Sequence, residues 1–250
     1  MTTHRDVAVS LSKALSLEQP PIAISFVDRL PSGVQMWSGS VPAGCRFWQE
    51  AATRTFATSA RQHDLCAIGI HTHNLEPTAA TNTDLGTALK VFADLGYVRP
   101  EDVPQIPVLA KRSPFVIYGP LAETETVPDV AMLFVDAGQT LILSEAAQQM
   151  EGGTIPAMGR PACAVVPQAI NSGRAALSLG CCGARAYLDV LTPDVALFAV
   201  PGSKLAAFTE RVVALANANG ILTRFHTLRR DQVDRGQRPT VAESLAAMGT

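Results

Sequence analysis

Five cysteines, Cys45, Cys66, Cys163, Cys181 and Cys182, carry the main chemical interest of this sequence. No two of them form the compact C-x-x-C pair of a zinc ribbon or ferredoxin, so their spacing leaves three roles open: buried hydrophobe, reactive thiol or metal ligand. A free cysteine commonly packs as a small apolar side chain, and Cys163 within Ala162-Cys163-Ala164-Val165-Val166 suits that role. The others sit in different company. Cys45 follows Pro42-Ala43-Gly44, Cys66 follows His63-Asp64, and the Cys181-Cys182 pair lies between Gly180 and Gly183. Glycine lets backbone amides approach a sulfur, which favours thiolate, the form that binds metal. A strand ending at Leu179, then Gly180 to Gly183, then a helical Ala184 to Val190 would set the paired cysteines at a strand-to-helix turn, where active sites of open sheets gather.

Further groups lie near these sulfurs. His63 stands three positions before Cys66 and could tune a metal centre, relay protons or face solvent. His71 and His73 alternate, so on an extended segment they would point the same way and could pinch an ion, although solvated loop histidines are commoner. Arg185 follows Cys181 by four residues, one helical turn, and could hold a substrate carboxylate, balance the charge of a metal centre or make an ordinary salt bridge. The sequence has no G-x-S-x-G elbow and neither glycine-rich phosphate-binding signature, which argues against a serine hydrolase and a built-in nucleotide cofactor.

The elements that must position these residues can be read from periodicity. Val7, Leu11, Ala14 and Leu15 predict an opening helix ended by Pro20 and Pro21, and Pro21 to Val27 predicts a strand. Phe47 to Phe56 reads as a helix headed by Cys45, the stretch from Cys66 to Asp84 as a long loop, and Leu85 to Leu95 as a helix capped by Thr83-Asp84. Prolines 100, 104, 107 and 114 mark an extended connection, a seam near residues 97–114. Beyond it, Phe115 to Tyr118, Val130 to Val135, Ala162 to Val166, Ala175 to Leu179 and Val195 to Val200 read as strands. Helices are predicted over Ala137 to Met150 and over Ser203 to Ala218, the latter stopped by Gly220. The expected fold is α/β or α+β: a mixed sheet of short strands with helices packed on it, one domain over residues 1–228. Residues 229–250 form a charged C-terminal arm whose short helix could dock on the body or on a second subunit of a homo-oligomer.

With 250 residues and 47% hydrophobic side chains, the chain can bury a core without disulfide staples. Only 17% of residues are charged and the formal net charge is −2, so no basic field recruits nucleic acid or an anionic membrane. The longest apolar runs, such as Val130 to Val135, span six residues, far short of the roughly 20 needed to cross a bilayer. The first residues lack the pattern of a secretory signal, so a cytoplasmic location is expected, where disulfides are rare. A small molecule or an electron-transfer protein is the expected partner.

Several blocks resemble the prokaryotic domain-of-unknown-function family 169, over roughly Val7 to Val213. They include Pro21-Ile22-Ala23-Ile24-Ser25-Phe26, the His63 to Cys66 segment followed by Gly69, Gly119-Pro120-Leu121, and Val200-Pro201-Gly202. Ser178-Leu179-Gly180-Cys181-Cys182-Gly183-Ala184-Arg185 is the most specific. In that family the cysteines fall at positions equivalent to Cys45, Cys66, Cys163 and Cys181, with Cys182 replacing a variable residue. The resemblance therefore implies a metal centre on those four. The sequence departs from the family around Cys66, where Leu65 and Ala67-Ile68 replace a Pro-Gly-Gly-like run. Four thiolates in a cytoplasmic protein favour an iron-sulfur cluster, 4Fe-4S, or zinc. Zinc is the weaker fit because this core needs no metal to fold. The expected function is a reductase, or a lyase-type enzyme if three cysteines bind and one iron stays open as a Lewis acid. The alternatives are a non-catalytic carrier of electrons, metal or sulfur, and a metal-free thiol enzyme using Cys181 or Cys182 as nucleophile.

Overall fold

A capping box on Thr3, whose hydroxyl accepts from the amide of Asp6, starts helix α1 (His4–Leu15). The computed structural model describes residues 2–153, the backbone of 157–158, and residues 161–249. Strand β1 (Ile22–Val27) follows α1, then α2 (Arg46–Glu50), β2 (Phe56–Thr58), α3 (Ala67–Thr72) and α4 (Ala79–Asp94). The second half runs β3 (Phe115–Pro120), β4 (Val130–Val135), α5 (Ala137–Glu151), β5 (Ala157–Met158), α6 (Val165–Ser172) and β6 (Ala176–Ser178). It ends with α7 (Cys182–Tyr187), β7 (Ala196–Pro201), α8 (Leu205–Asp234) and α9 (Val241–Ala247).

The strands form one seven-stranded sheet in the order β2-β3-β1-β4-β7-β6-β5, antiparallel except for the β5–β6 pair. Strand β1 lies between β3 and β4, so the sheet is continuous across the proline-rich connection at 97–114. Side chains alternate along each strand, and the register keeps the alternation in phase across the sheet. Ile22, Ile24, Val116, Tyr118, Met132 and Ala199 point to one face. Ala23, Ala131, Leu133, Val135, Phe198 and Val200 point to the other. The second face is covered by α1, α5 and α8, with Leu11, Leu143 and Phe208 fully buried against it. Gln139 Nε2 also donates to Leu15 O at 2.9 Å, tying α5 to the end of α1.

The first face carries the short helices α2, α3, α6 and α7 with Cys45, Cys66, Cys163 and Cys181. A helix of five to eight residues is marginal by itself, and packing holds these in place. Phe47 and Trp48 of α2 are fully buried, and Phe47 meets the rings of Phe56 and Tyr118 at 5.7 Å each.

Six local expectations need correction. Pro100–Gln105 of the proline-rich connection is a 3₁₀ helix rather than extended, because proline's fixed φ also suits a helical first turn. Ala162 to Val166 is helical, a 3₁₀ turn entering α6, because an apolar run buried all round suits a core helix as well as a strand. The helix after Cys45 stops at Glu50, and Phe56 belongs to β2. The region from Cys66 to Asp84 is no loop: α3 begins directly after Cys66. Helix α4 starts at Ala79 with Thr78 as its cap, leaving Thr83 and Asp84 inside it. Gly220 does not stop the last long helix, which continues to Asp234 and takes in the first part of the charged arm; Phe225 is buried and α9 packs back on α8. The terminal helix does form, from Thr240 and Glu243 in a capping box. Among the described residues, no helix is long and apolar enough to cross a membrane.

Candidate functional site

Helix starts and turns on the first face of the sheet bring the cysteines together. Cys45 is the residue before α2, Cys66 the residue before α3, Cys163 lies in the 3₁₀ turn before α6, and Cys181 is the cap of α7. All of them, with Cys182, line one cavity of about 950 Å³. Cys45, Cys66 and Cys163 are buried, Cys181 is half-buried and Cys182 is exposed. Among the described residues, no group of three or more His, Cys, Asp or Glu forms a ready ligand set for a metal ion.

Each sulfur has its own supports. The backbone of Gly44 and Gly69 lies against Cys66 Sγ, where their amides favour its thiolate. Both positions require glycine: a Cβ at Gly44 would stand 2.5 Å from His63 Nδ1, and one at Gly69 would stand 2.8 Å from Cys66 Sγ. Thr72 Oγ1 donates to Cys163 Sγ at 3.3 Å, and the Ala184 amide to Cys181 Sγ at 3.4 Å. Neither Thr72 nor Gly69 was marked by sequence motif as a partner of a sulfur; the short helix that presents them hides in an aperiodic segment.

Burial pushes the Cys45 thiol up to about 12, with the neighbouring Cys66 and Cys181 adding to it. Burial likewise raises Cys66, against the lowering effect of the two glycine amides. Cys163 rises well above the ordinary thiol value through burial and then Cys66, which the Thr72 hydrogen bond partly offsets. These three thiols are therefore neutral at pH 7, and each disfavours ionisation of the others. A cation placed among them would reverse that preference and release their protons.

His63 stands behind Cys66 and outside the cavity wall. It is fully buried, with Nε2 3.0 Å from Thr58 Oγ1 and Nδ1 buried without a hydrogen-bond partner. Burial, then His73, pushes it down to about 3, so the ring is neutral. His71 and His73 do not pinch a common ion, because they occupy the end of α3 rather than an extended segment. His71 lines a separate small cavity, while His73 is buried edge-on to Phe26 at 5.4 Å. Arg185 is engaged by the backbone. Its guanidinium donates to the backbone carbonyls of Leu179, Leu191, Thr192 and Val195, holding the turn that presents Cys181. Gly180, at φ +81°, makes that turn, and a Cβ there would press on Leu191 Cδ2 at 3.1 Å. A second tie joins two cysteine-bearing helices at the rim: Arg46 Nη1 donates to Tyr187 O at 3.2 Å and to Asp189 Oδ2 at 3.3 Å.

Cys45, Cys66, Cys163 and Cys181 thus line the same cavity, and no disulfide joins any pair of them. No curated protein and no solved structure matches the chain. One family model does, over residues 10–211, and the chain belongs to that family, DUF169, described as "Uncharacterised ArCR".

Proposed function

We propose that this protein binds an iron-sulfur cluster, a 4Fe-4S cluster on Cys45, Cys66, Cys163 and Cys181, and uses it as a reductase or lyase-type enzyme on a small molecule. The observation that carries the reading is the shared cavity: four cysteines spread from position 45 to position 181 of the sequence line one space. Held by all four cysteines such a cluster would supply electrons; held by three, it would leave one iron open as a Lewis acid.

The chain's own residues have definable parts. Four thiols would give up their protons to ligate, and the Gly44, Gly69 and Ala184 amides and the Thr72 hydroxyl would then donate to sulfur, spreading the thiolate charge. Arg185 and Gly180 fix the Cys181 turn. A structural zinc site is closed and sits where a small domain needs metal to fold, whereas these cysteines edge a large cavity in a chain with an extensive core. That cavity also favours an enzyme over an electron or metal carrier, which has no use for a pocket beside its cluster. A thiol enzyme using Cys181 or Cys182 is less well supported, because none of the described residues lining the cavity is a histidine that could serve as its base.

The test is anaerobic purification, with reconstitution if needed, followed by iron and sulfide analysis and visible absorption. The expected result is a brown protein with about four irons per chain. Serine at 45, 66, 163 or 181 should reduce the iron content and Cys182→Ser should not. A colourless, iron-free protein after reconstitution would remove the proposal.

A further inference from the structure

The outer wall of the cavity is built differently from its sulfur-lined side. Leu85, Ala88, Leu89 and Phe92 recur at i, i+3, i+4 and i+7 on α4 and line the cavity. Such a stripe ordinarily disappears into a core, yet Thr81 is the one buried residue described for α4, and the helix packs chiefly on α3. Tyr97, Ile106 and Pro107 of the following connection continue the same apolar surface.

Among the described residues lining the cavity, charge is sparse and of one sign. None of its described lining residues is Lys, Arg or His, and the charged ones are Asp84 and Asp102. Asp102 is held by Arg99, with N···O distances of 2.7 Å to both carboxylate oxygens. Gln105 and Gln168 offer neutral hydrogen bonds. An anionic ligand would lose its water and meet no positive side chain from the described wall, while Asp84 would repel it.

We infer that the cavity takes an uncharged, predominantly apolar small molecule, without carboxylate or phosphate, bound against the α4 stripe. Its volume of about 950 Å³ is at the upper end of the ~300–1,000 Å³ range of small-molecule sites. That this molecule is the substrate rests on the enzyme reading above; its binding does not. The inference narrows that reading, since hydroxy-acid substrates of a lyase would need an anion clamp.

Two fluorescent probes of nearly equal shape separate the classes: neutral N-phenylnaphthylamine and its sulfonated relative anilinonaphthalenesulfonate. Each is titrated into the protein as purified and, in parallel, into a Cys45→Ser/Cys163→Ser variant. The neutral probe should bind one per chain, at least about tenfold more tightly than the sulfonate, in both preparations. Leu89→Glu and Ala88→Trp, both on a helix with little buried surface, should each weaken it by about tenfold or more with circular dichroism unchanged. Preferred binding of the sulfonate, or neutral-probe affinity unchanged by both substitutions, would overturn the inference. Iron analysis of the same preparations reports separately on the cluster, so either reading can fall while the other stands.

Discussion

Gly69→Ala tests whether the backbone around Cys66 is shaped for its sulfur. Alanine inside a helix is ordinarily better than glycine by about 0.5–1 kcal/mol. Here its methyl would lie 2.8 Å from Cys66 Sγ, almost an ångström inside normal contact, with Cys66 Cβ at 3.7 Å and His63 Nδ1 at 3.8 Å. Relieving that overlap moves Sγ away from the glycine amides or shifts α3, an overpacking cost of about 1–3 kcal/mol. The net expectation is a loss of about 1–2 kcal/mol in the metal-free protein. In a Cys66→Ala background the offending atom is gone and the remaining neighbours are at ordinary distances, so the same substitution should stabilise by about 0.5 kcal/mol. Urea titrations followed by tryptophan fluorescence, with the buried Trp48 as reporter, give the four corners of the cycle. The expected coupling is about 2 kcal/mol. If Gly69→Ala stabilises both backgrounds equally, the sulfur cradle is misdescribed.

Arg185→Lys should cost about 1–3 kcal/mol, because an ammonium cannot span the four carbonyls that the guanidinium fork reaches. Hydrogen exchange should quicken across residues 179–195, and unchanged protection there would refute the role. The two buried histidines make a pH prediction. Their folded values of about 3 for His63 and about 4 for His73 lie below the ordinary 6.5, so from about pH 6 downward the unfolded chain binds protons that the folded chain refuses. Stability should therefore fall with falling pH, by about 1.4 kcal/mol per unit for each histidine, until each folded ring titrates. His73→Phe should remove one histidine's share of that slope between about pH 6 and 4; an unchanged slope in urea titrations would refute the assignment. Gly202→Ala puts a methyl 1.7 Å from Pro128 O, where Gly202 N donates to Asp129 O at 3.0 Å, and no side chain can yield. A loss of at least about 3 kcal/mol is expected, seen as a collapse of cooperative unfolding, and an unchanged urea midpoint would contradict the register.

Where one periodicity dominated, the sequence was legible. Strands β3, β4, β6 and β7 and helices α1 and α5 follow their apolar patterns and caps to within a few residues. The errors share a cause: tertiary contacts overrode local signals. Gly220 should end a helix, yet Phe225 and the returning α9 give residues beyond it something to pack on. Val165 and Val166 favour a strand in isolation, but in α6 they fill the same core as Ile22 and Met132. The cavity wall was only half legible. Glycines beside Cys45 and Cys181 hinted at close backbone approach, whereas α3 gave no periodic signal and so hid Thr72 and the support of Cys66. Leu85, Leu89, Phe92 and Leu95 read as an inward stripe, but the first three border a cavity and Leu95, at the helix end, is exposed.

The division of labour around that cavity bears on how such a chain can diversify. Its sulfur side is anchored to the central sheet through fully buried residues such as Phe47, Trp48 and Val165, while α4 rests on the body chiefly through α3. Substitutions along α4 can therefore reshape the chamber without disturbing the thiols, leaving one sulfur-lined floor beneath an interchangeable ceiling.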